Sequence, residues 1–160
     1  MSATQIQATP KDPAQPDDPK LGDFLCFAIY SANLAFGKVY RPLLERLGIT
    51  YTQYVTLVAL WEEDNQTVGG LGEKLFLESN TLTPILKKLE AMGYVKRTRD
   101  AANERQVRIT LTADGKQLRE TARSVDLTDA CGLTSKDFGR LQKEIVALRD
   151  NLVASLHDPR

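Results

Sequence analysis

The sequence predicts a mainly α fold carrying one small β-hairpin, and three observations predict it. Apolar residues recur at helical spacing, as in Leu25, Ile29, Ala32, Phe36 and Val39, or in Leu82, Ile85, Leu86 and Leu89. Residues suited to capping the first turn of a helix stand ahead of several such runs, at Thr50, Thr67, Thr112 and Thr134. Two-residue alternation marks 94–99 and 105–111, where Val95 alternates with Lys96, and Val107, Ile109 and Leu111 alternate with Arg108 and Thr110.

Residues 1–19 hold four of the seven prolines together with Gln, Ala and Asp, the composition of a disordered or extended arm. A helix follows from about Lys20 to Tyr40, and Pro42 is expected to break or kink it. Leu43 to Leu47 form a further short turn that Gly48 stops in the left-handed conformation. Thr50-Tyr51-Thr52-Gln53 is a capping box for a helix to about Glu63, built on Tyr54, Leu57, Val58 and Trp61. Asp64-Asn65-Gln66 reads as a loop. Thr67 then caps Val68 to Leu75, with Leu71, Leu75 and Phe76 expected to pack inward and Gly69-Gly70 weakening the helix by about 1 kcal/mol each.

Ser79 is the preferred cap of the next helix, to Met92; Thr83 with Pro84 as first helical residue is the competing choice, but it leaves the helix too short. Gly93 ends it. The hairpin Tyr94–Arg99 and Arg105–Leu111 turns through Asp100 to Glu104, where Asn103 can tolerate positive φ. Thr112 caps a helix to about Val125, and Asp126 to Leu133 is irregular. The final helix runs from the capping box at Thr134 to about Leu156. Its Phe138, Leu141, Ile145, Leu148 and Leu152 recur at alternating steps of three and four, the spacing of a helix that meets a partner helix; packing within the chain is the plainer alternative.

The stretch from Glu78 to Leu111 carries the functional signal. One side of its helix is the leucine stripe, and the other shows Asn80, Thr83, Pro84, Lys87 and Ala91, with Lys88 at its margin and no carboxylate. Such a face suits a helix entering a DNA groove, with lysines for phosphates and hydroxyls or an amide for phosphates and base edges. Helix and hairpin together read as a winged helix-turn-helix over 50–111, the hairpin forming its small β-wing. Residues 20–48 and 112–157 are then a helical dimerisation region.

Bulk properties agree with a soluble regulator. A chain of 160 residues with 42% apolar and 26% charged residues fits one ordinary globular domain. No apolar run approaches the roughly 18 residues of a membrane span, and no signal-peptide core opens the chain, so a cytoplasmic location is expected. Net charge is zero, yet from Pro84 to Ile109 seven basic residues (Lys87, Lys88, Lys96, Arg97, Arg99, Arg105, Arg108) meet three acidic ones (Glu90, Asp100, Glu104). That local excess belongs on a polyanion. One histidine leaves no metal cluster, no cofactor set and no catalytic triad, so an enzyme is not expected.

Cys26 and Cys131 are too far apart in sequence for a CxxC loop or a zinc knuckle. Cys26, Tyr30, Asn33, Gly37 and Tyr40 form a second stripe of the first helix, two small residues and two phenols that suit a close helix–helix contact. On one helix Cys26 and Tyr40 are about 21 Å apart at 1.5 Å per residue, so they cannot touch within a chain. Antiparallel packing of two copies would bring them together, and a phenol donating to sulfur would favour the thiolate. A structural cysteine is the more frequent reading of such a residue, and Cys26 is expected past the first turn, beyond most of the helix-dipole benefit.

LCFAIYSA around Cys26, VYRPLLERLGITYTQYVTLVALWE, LGEKLFLESNTLTPILKKLEAMGYVKR and NERQVRITLT resemble, almost continuously from Gly22 to Leu156, the MarR family of dimeric winged-helix regulators. The similarity is closest to its organic-hydroperoxide-sensing OhrR branch. The resemblance implies a homodimer that binds a double-stranded DNA operator as a repressor of a peroxide-detoxification gene. It makes Cys26 the peroxidatic sensor, with Tyr40 and Tyr51 of the other subunit hydrogen-bonding its sulfur. It also implies the two-cysteine subgroup, in which oxidised Cys26 forms a disulfide with the partner subunit's Cys131. An organic hydroperoxide is the effector, expected in an apolar pocket near Phe24, Phe27, Tyr40 and Tyr51, with Tyr30 a further phenol expected to hydrogen-bond the sulfur. Ser79, Asn80, Thr81, Thr83, Lys87 and Lys88 match the recognition helix, and Arg97 and Arg105 match the wing arginines that reach DNA.

Two departures stand out. Asn103 replaces the usual wing Asp, removing a charge partner for Arg105, and Gly69-Gly70 replaces a more helix-prone pair. Two rival classes remain from the sequence. One is a MarR-type regulator that responds to a small phenolic ligand, its cysteines structural. The other is a two-cysteine thiol peroxidase, which leaves the basic wing unexplained.

Overall fold

The computed structural model describes residues 20–122 and 127–157. A single 3-10 turn, Leu21–Asp23, precedes α1 (Leu25–Leu47), α2 (Tyr51–Glu62), the two-residue β1 (Gln66–Thr67), α3 (Val68–Leu75) and α4 (Ser79–Ala91). Then come β2 (Val95–Arg99), β3 (Val107–Leu111), α5 (Ala113–Ala122), α6 (Leu127–Ala130) and α7 (Ser135–His157). The chain divides into two units after Phe36, a boundary that falls within α1.

The threonine caps form as their residue types dictate. Thr50 accepts from the Gln53 N–H at 3.3 Å while Gln53 Oε1 accepts from the Thr50 N–H at 2.8 Å, a reciprocal capping box. Thr67, Thr112 and Thr134 accept from the N–H three residues on, at 3.0, 3.0 and 3.1 Å. In the second unit Leu57 and Leu60 of α2, Leu71 of α3 and Leu82, Leu86 and Leu89 of α4 are fully buried against Val95 and Ile109 of the sheet. Burying one such leucine contributes about 1.5–3 kcal/mol, so α4 is fixed by its inner stripe and its outer face is left to function. The sheet order is β1-β3-β2, all antiparallel, with Arg97 opposite Ile109 and Gln66 opposite Ile109 on the other edge.

Several expectations are corrected. The first helix does not begin at Lys20: Lys20 and Asp23 close a 3-10 turn, and the extended Phe24 delays α1 to Leu25. Pro42 does not end it, because Leu43 and Leu47 on the following turn are buried in the core and hold α1 helical across the missing N–H. Gln66–Thr67 pairs with Arg108–Ile109 as a short strand where a loop was expected. Phe76 does not pack inward. It takes the left-handed conformation (φ 56°) at the end of α3, where Leu77 N–H donates to Gly72 O at 2.9 Å, and it is 57% exposed. Its ring lies under the Arg149 guanidinium of α7, 4.5 Å from the ring centre.

Asn65 (φ 59°), not Asn103, holds a positive-φ position. Leu127–Ala130 is a helical turn within the segment read as irregular. The arm over 1–19, Asp126 and the expected extension of α5 to Val125 lie outside the described residues.

Candidate functional site

Helix α4 starts one residue earlier than a Ser79 cap would place it. Glu78 is the N-cap without a side-chain cap bond, and Ser79 is the first helical residue. Thr83 Oγ1 donates to Ser79 O at 2.6 Å, and Pro84, lacking an N–H, leaves the Asn80 carbonyl without its helical donor. Ser79, Asn80, Thr81, Lys87 and Lys88 are exposed, whereas Thr83 is half-buried. Among the described residues neither lysine is engaged by a carboxylate, so both charges are available.

The wing is held by Asp100 where the missing Asp at position 103 put its order in doubt. Asp100 Oδ1 accepts from the Ala102 N–H at 2.9 Å, and Oδ2 accepts from Arg108 Nε at 2.6 Å. Arg108 also donates to Asn65 O at 3.0 Å, tying the wing to the loop before β1. The Ala102 N–H first, and Arg108 next, hold the Asp100 carboxyl below its ordinary value. Asn103 Oδ1 in turn accepts from the Arg105 N–H at 3.2 Å, which fixes the backbone beneath an exposed guanidinium. Arg97 is different: it is half-buried and paired with Glu90 of α4 at 3.6 Å. Ser79 and Thr83 from the helix and Arg97 and Arg105 from the wing line one hollow of about 380 Å³.

In the first unit, Cys26 is an exposed free thiol at the second residue of α1. The late helix start therefore puts it inside the first turn of α1 and not past it. Leu21, Phe24, Phe27 and Tyr30 surround it in an apolar hollow of about 420 Å³, with the Phe27 and Tyr30 rings 6.3 Å apart.

In the second unit, Tyr40 lies 5.2 Å ring-to-ring from Tyr51 and 5.7 Å from Tyr54. Burial first, and then the neighbouring phenols Tyr51 and Tyr54, push the Tyr40 hydroxyl up to about 12. It stays a protonated donor at neutral pH. Tyr54, raised for the same two kinds of reason, is a member the sequence reading assigned to core; its place one turn after Tyr51 on α2 was the available signal. Cys131 is half-buried just after α6, its N–H donating to Leu127 O, and its thiol is free. Among the described residues no His, Cys, Asp or Glu group is placed to hold a metal, and no helix is long and apolar enough to cross a membrane.

A leucine-anchored helix with a polar and basic outer face beside an anchored basic hairpin defines a winged-helix DNA-binding fold. The family model described as transcriptional regulator SarA/Rot matches residues 38–121. The chain is 45% identical to the HTH-type transcriptional regulator TtmR of Methylorubrum extorquens, over 86% of its own length and 72% of that protein's. It is 42% identical to the organic hydroperoxide resistance transcriptional regulator of Bacillus subtilis, over 88% and 95%. Among solved structures it is similar to AbfR of Staphylococcus epidermidis. In the reduced, DNA-bound form the TM-score is 0.69 at 38% identity, covering 83% of this chain and 94% of that one. In the disulfide form it is 0.58 at 40%, covering 80% and 91%. The chain belongs to the MarR-type family of winged-helix transcriptional regulators, with the organic hydroperoxide resistance regulators. That family consists of DNA-binding regulators, not enzymes.

Proposed function

We propose that this protein is a homodimeric, cytoplasmic repressor that releases its operator when an organic hydroperoxide oxidises Cys26. The observation that carries the reading is Cys26 itself: an exposed thiol in the first turn of α1, set in an apolar hollow lined by Phe24, Phe27 and Tyr30. The hollow suits an alkyl or aryl group, and the exposed sulfur at its edge is open to a peroxide.

In the reduced dimer, Ser79, Asn80, Thr81, Thr83, Lys87 and Lys88 enter the major groove of each half-site. The wings follow the adjacent minor groove with Arg105. Dimerisation through α1 and α7 is supported by their exposed apolar residues, among them Ile29, Leu34, Leu141, Ile145 and Leu152. Tyr40 and Tyr51 of the other subunit donate to the sulfur; the protonated state of Tyr40 supports that role.

The Cys26 thiolate attacks the distal peroxide oxygen, the O–O bond breaks, and the alkoxide leaves as alcohol after taking a proton. Sulfur is oxidised by two electrons to sulfenic acid. The partner subunit's Cys131 thiol then displaces that oxygen as water and forms the intersubunit disulfide. The two-cysteine step is supported by the free state of both thiols and by the disulfide form of AbfR. The new bond changes the spacing of the two readers, which no longer match two half-sites.

The test is a gel-shift with DNA from upstream of its own gene, with and without cumene hydroperoxide, followed by dithiothreitol. Loss of the complex with peroxide and its return with reductant is the expected result. Release by a phenol while the thiols stay titratable would instead favour a ligand-responsive regulator.

A further inference from the structure

Arg97 has two relations that a DNA contact leaves unexplained. Its backbone N–H donates to Glu90 Oε1 at 3.1 Å, and its Nη1 lies 3.6 Å from Glu90 Oε2. Glu90 is in the last turn of α4, and Arg97 is the middle residue of β2, an edge strand of the sheet. One carboxylate thus closes the open edge of the wing and joins it to the reading helix. The Arg97 side chain is only 23% exposed, and its Nε is buried without a hydrogen-bond partner among the described residues. Arg105, by contrast, is exposed and unengaged by carboxylate among the described residues. Ser79, Thr83 and Glu90 fall on one stripe of α4, at i, i+4 and i+11, and the first two border the hollow into which Arg97 and Arg105 project from the wing side. A carboxylate so near a polyanion opposes binding by simple Coulomb repulsion. Its presence calls for a role that outweighs the repulsion.

We propose that the Glu90–Arg97 pair is a positioning device that fixes the wing against the reading helix, so that Arg97 acts on DNA through the placement of Arg105 and not by its own contact. This rests on the DNA-binding mode given under the proposed function. The two roles for Arg97 predict opposite signs at Glu90. If Arg97 contacts phosphate, removing Glu90 deletes a repulsive charge, frees the guanidinium and tightens binding. If Arg97 positions the wing, removing Glu90 weakens binding although a negative charge has gone.

The experiment compares the reduced full-length protein with E90A, E90Q, R97A, E90A/R97A and R105A. Operator affinity is read by fluorescence anisotropy over a salt series, protection by hydroxyl-radical footprinting, and folding by thermal melts. E90A and R97A are each expected to weaken binding roughly tenfold, the scale of a broken contact between coupled charged residues. The double variant should be no weaker than either single. E90Q, whose amide oxygen still accepts from the Arg97 N–H, should fall between wild type and E90A. Footprints of E90A should lose the protection lost in R105A and keep that beneath α4, a pattern that general destabilisation does not give. Tighter binding by E90A, or additive losses with a salt slope lower by about 0.9 in R97A, would overturn the proposal and make Arg97 a phosphate contact. Absence of operator binding by the wild type would overturn the DNA reading, and the positioning role with it.

Discussion

Replacing Gly115 by alanine separates packing from propensity in one substitution. Gly115 is in α5, where that helix crosses the base of the wing. A Cβ there would stand 2.0 Å from Tyr94 O, 3.0 Å from Tyr94 C and 3.3 Å from Leu111 Cδ2. The nearest contact must open by about 1 Å to reach the shortest distance real Cβ atoms show. Tyr94 O cannot yield freely, since it accepts from the Thr112 N–H at 3.1 Å, and Gly115 O accepts from Trp61 Nε1 at 2.8 Å. Overpacking of this kind costs about 1–3 kcal/mol. A weakened hydrogen bond adds about 1 kcal/mol. Helix propensity returns about 1 kcal/mol in favour of alanine. The net destabilisation of about 1–3 kcal/mol lowers the melting temperature by roughly 2–12 °C for a chain of this size. Trp61, the single tryptophan, reports the change directly through its emission. Protein concentration must be held constant, because the melting temperature of the proposed dimer would depend on it. An unchanged or higher melting temperature, which propensity alone predicts, would refute the packing argument.

Gly69→Ala is the counterpart: nothing lies within 4 Å of a Cβ at that position of α3, so the variant should gain about 1 kcal/mol and melt roughly 2–4 °C higher. A fall in melting temperature would mean that α3 needs the glycine. Asp100 gives a pH prediction. Its folded value is depressed, so the wing-tip order it supplies is complete above the ordinary carboxylate value and is lost as pH falls through the folded value. The Ala102 amide resonance should titrate with a midpoint below 3.8 and stay flat in Asp100→Asn; a midpoint above 3.8 would contradict the assignment. Non-reducing gels of peroxide-treated protein should show a dimer-sized covalent band that Cys131→Ser removes, whereas a monomer-sized product would indicate an intrachain bond.

Legibility in the sequence followed the range of the interaction. Caps are local, and Thr50, Thr67, Thr112 and Thr134 all act where their residue type and spacing placed them. The leucine stripe of α4 was equally plain, since an i, i+3, i+4, i+7 pattern has one helical solution. Phe76 misled because an apolar residue after the buried Leu71 and the half-buried Leu75 implies continued helix, while the left-handed turn into α4 swings its side chain outward. The place of Cys26 hinged on four residues: the 3-10 turn at Leu21–Asp23 and the extended Phe24 move the helix start, and with it the sulfur, into the first turn. Glu90 looked like one of three acidic residues in a basic stretch; its bond to the Arg97 N–H depends on how α4 docks against β2, which periodicity does not encode. Asn103 was read for the charge it lacks, whereas the wing is anchored by Asp100 through Arg108, eight residues on.

The central claim is that Cys26 is the switch. Its most direct test is the Cys26→Ser variant on labelled operator DNA, followed by anisotropy during a cumene hydroperoxide titration alongside the wild type. Both proteins should bind when reduced, and the wild type should dissociate as peroxide is added while the variant stays bound. Peroxide-driven release of Cys26→Ser would contradict the account.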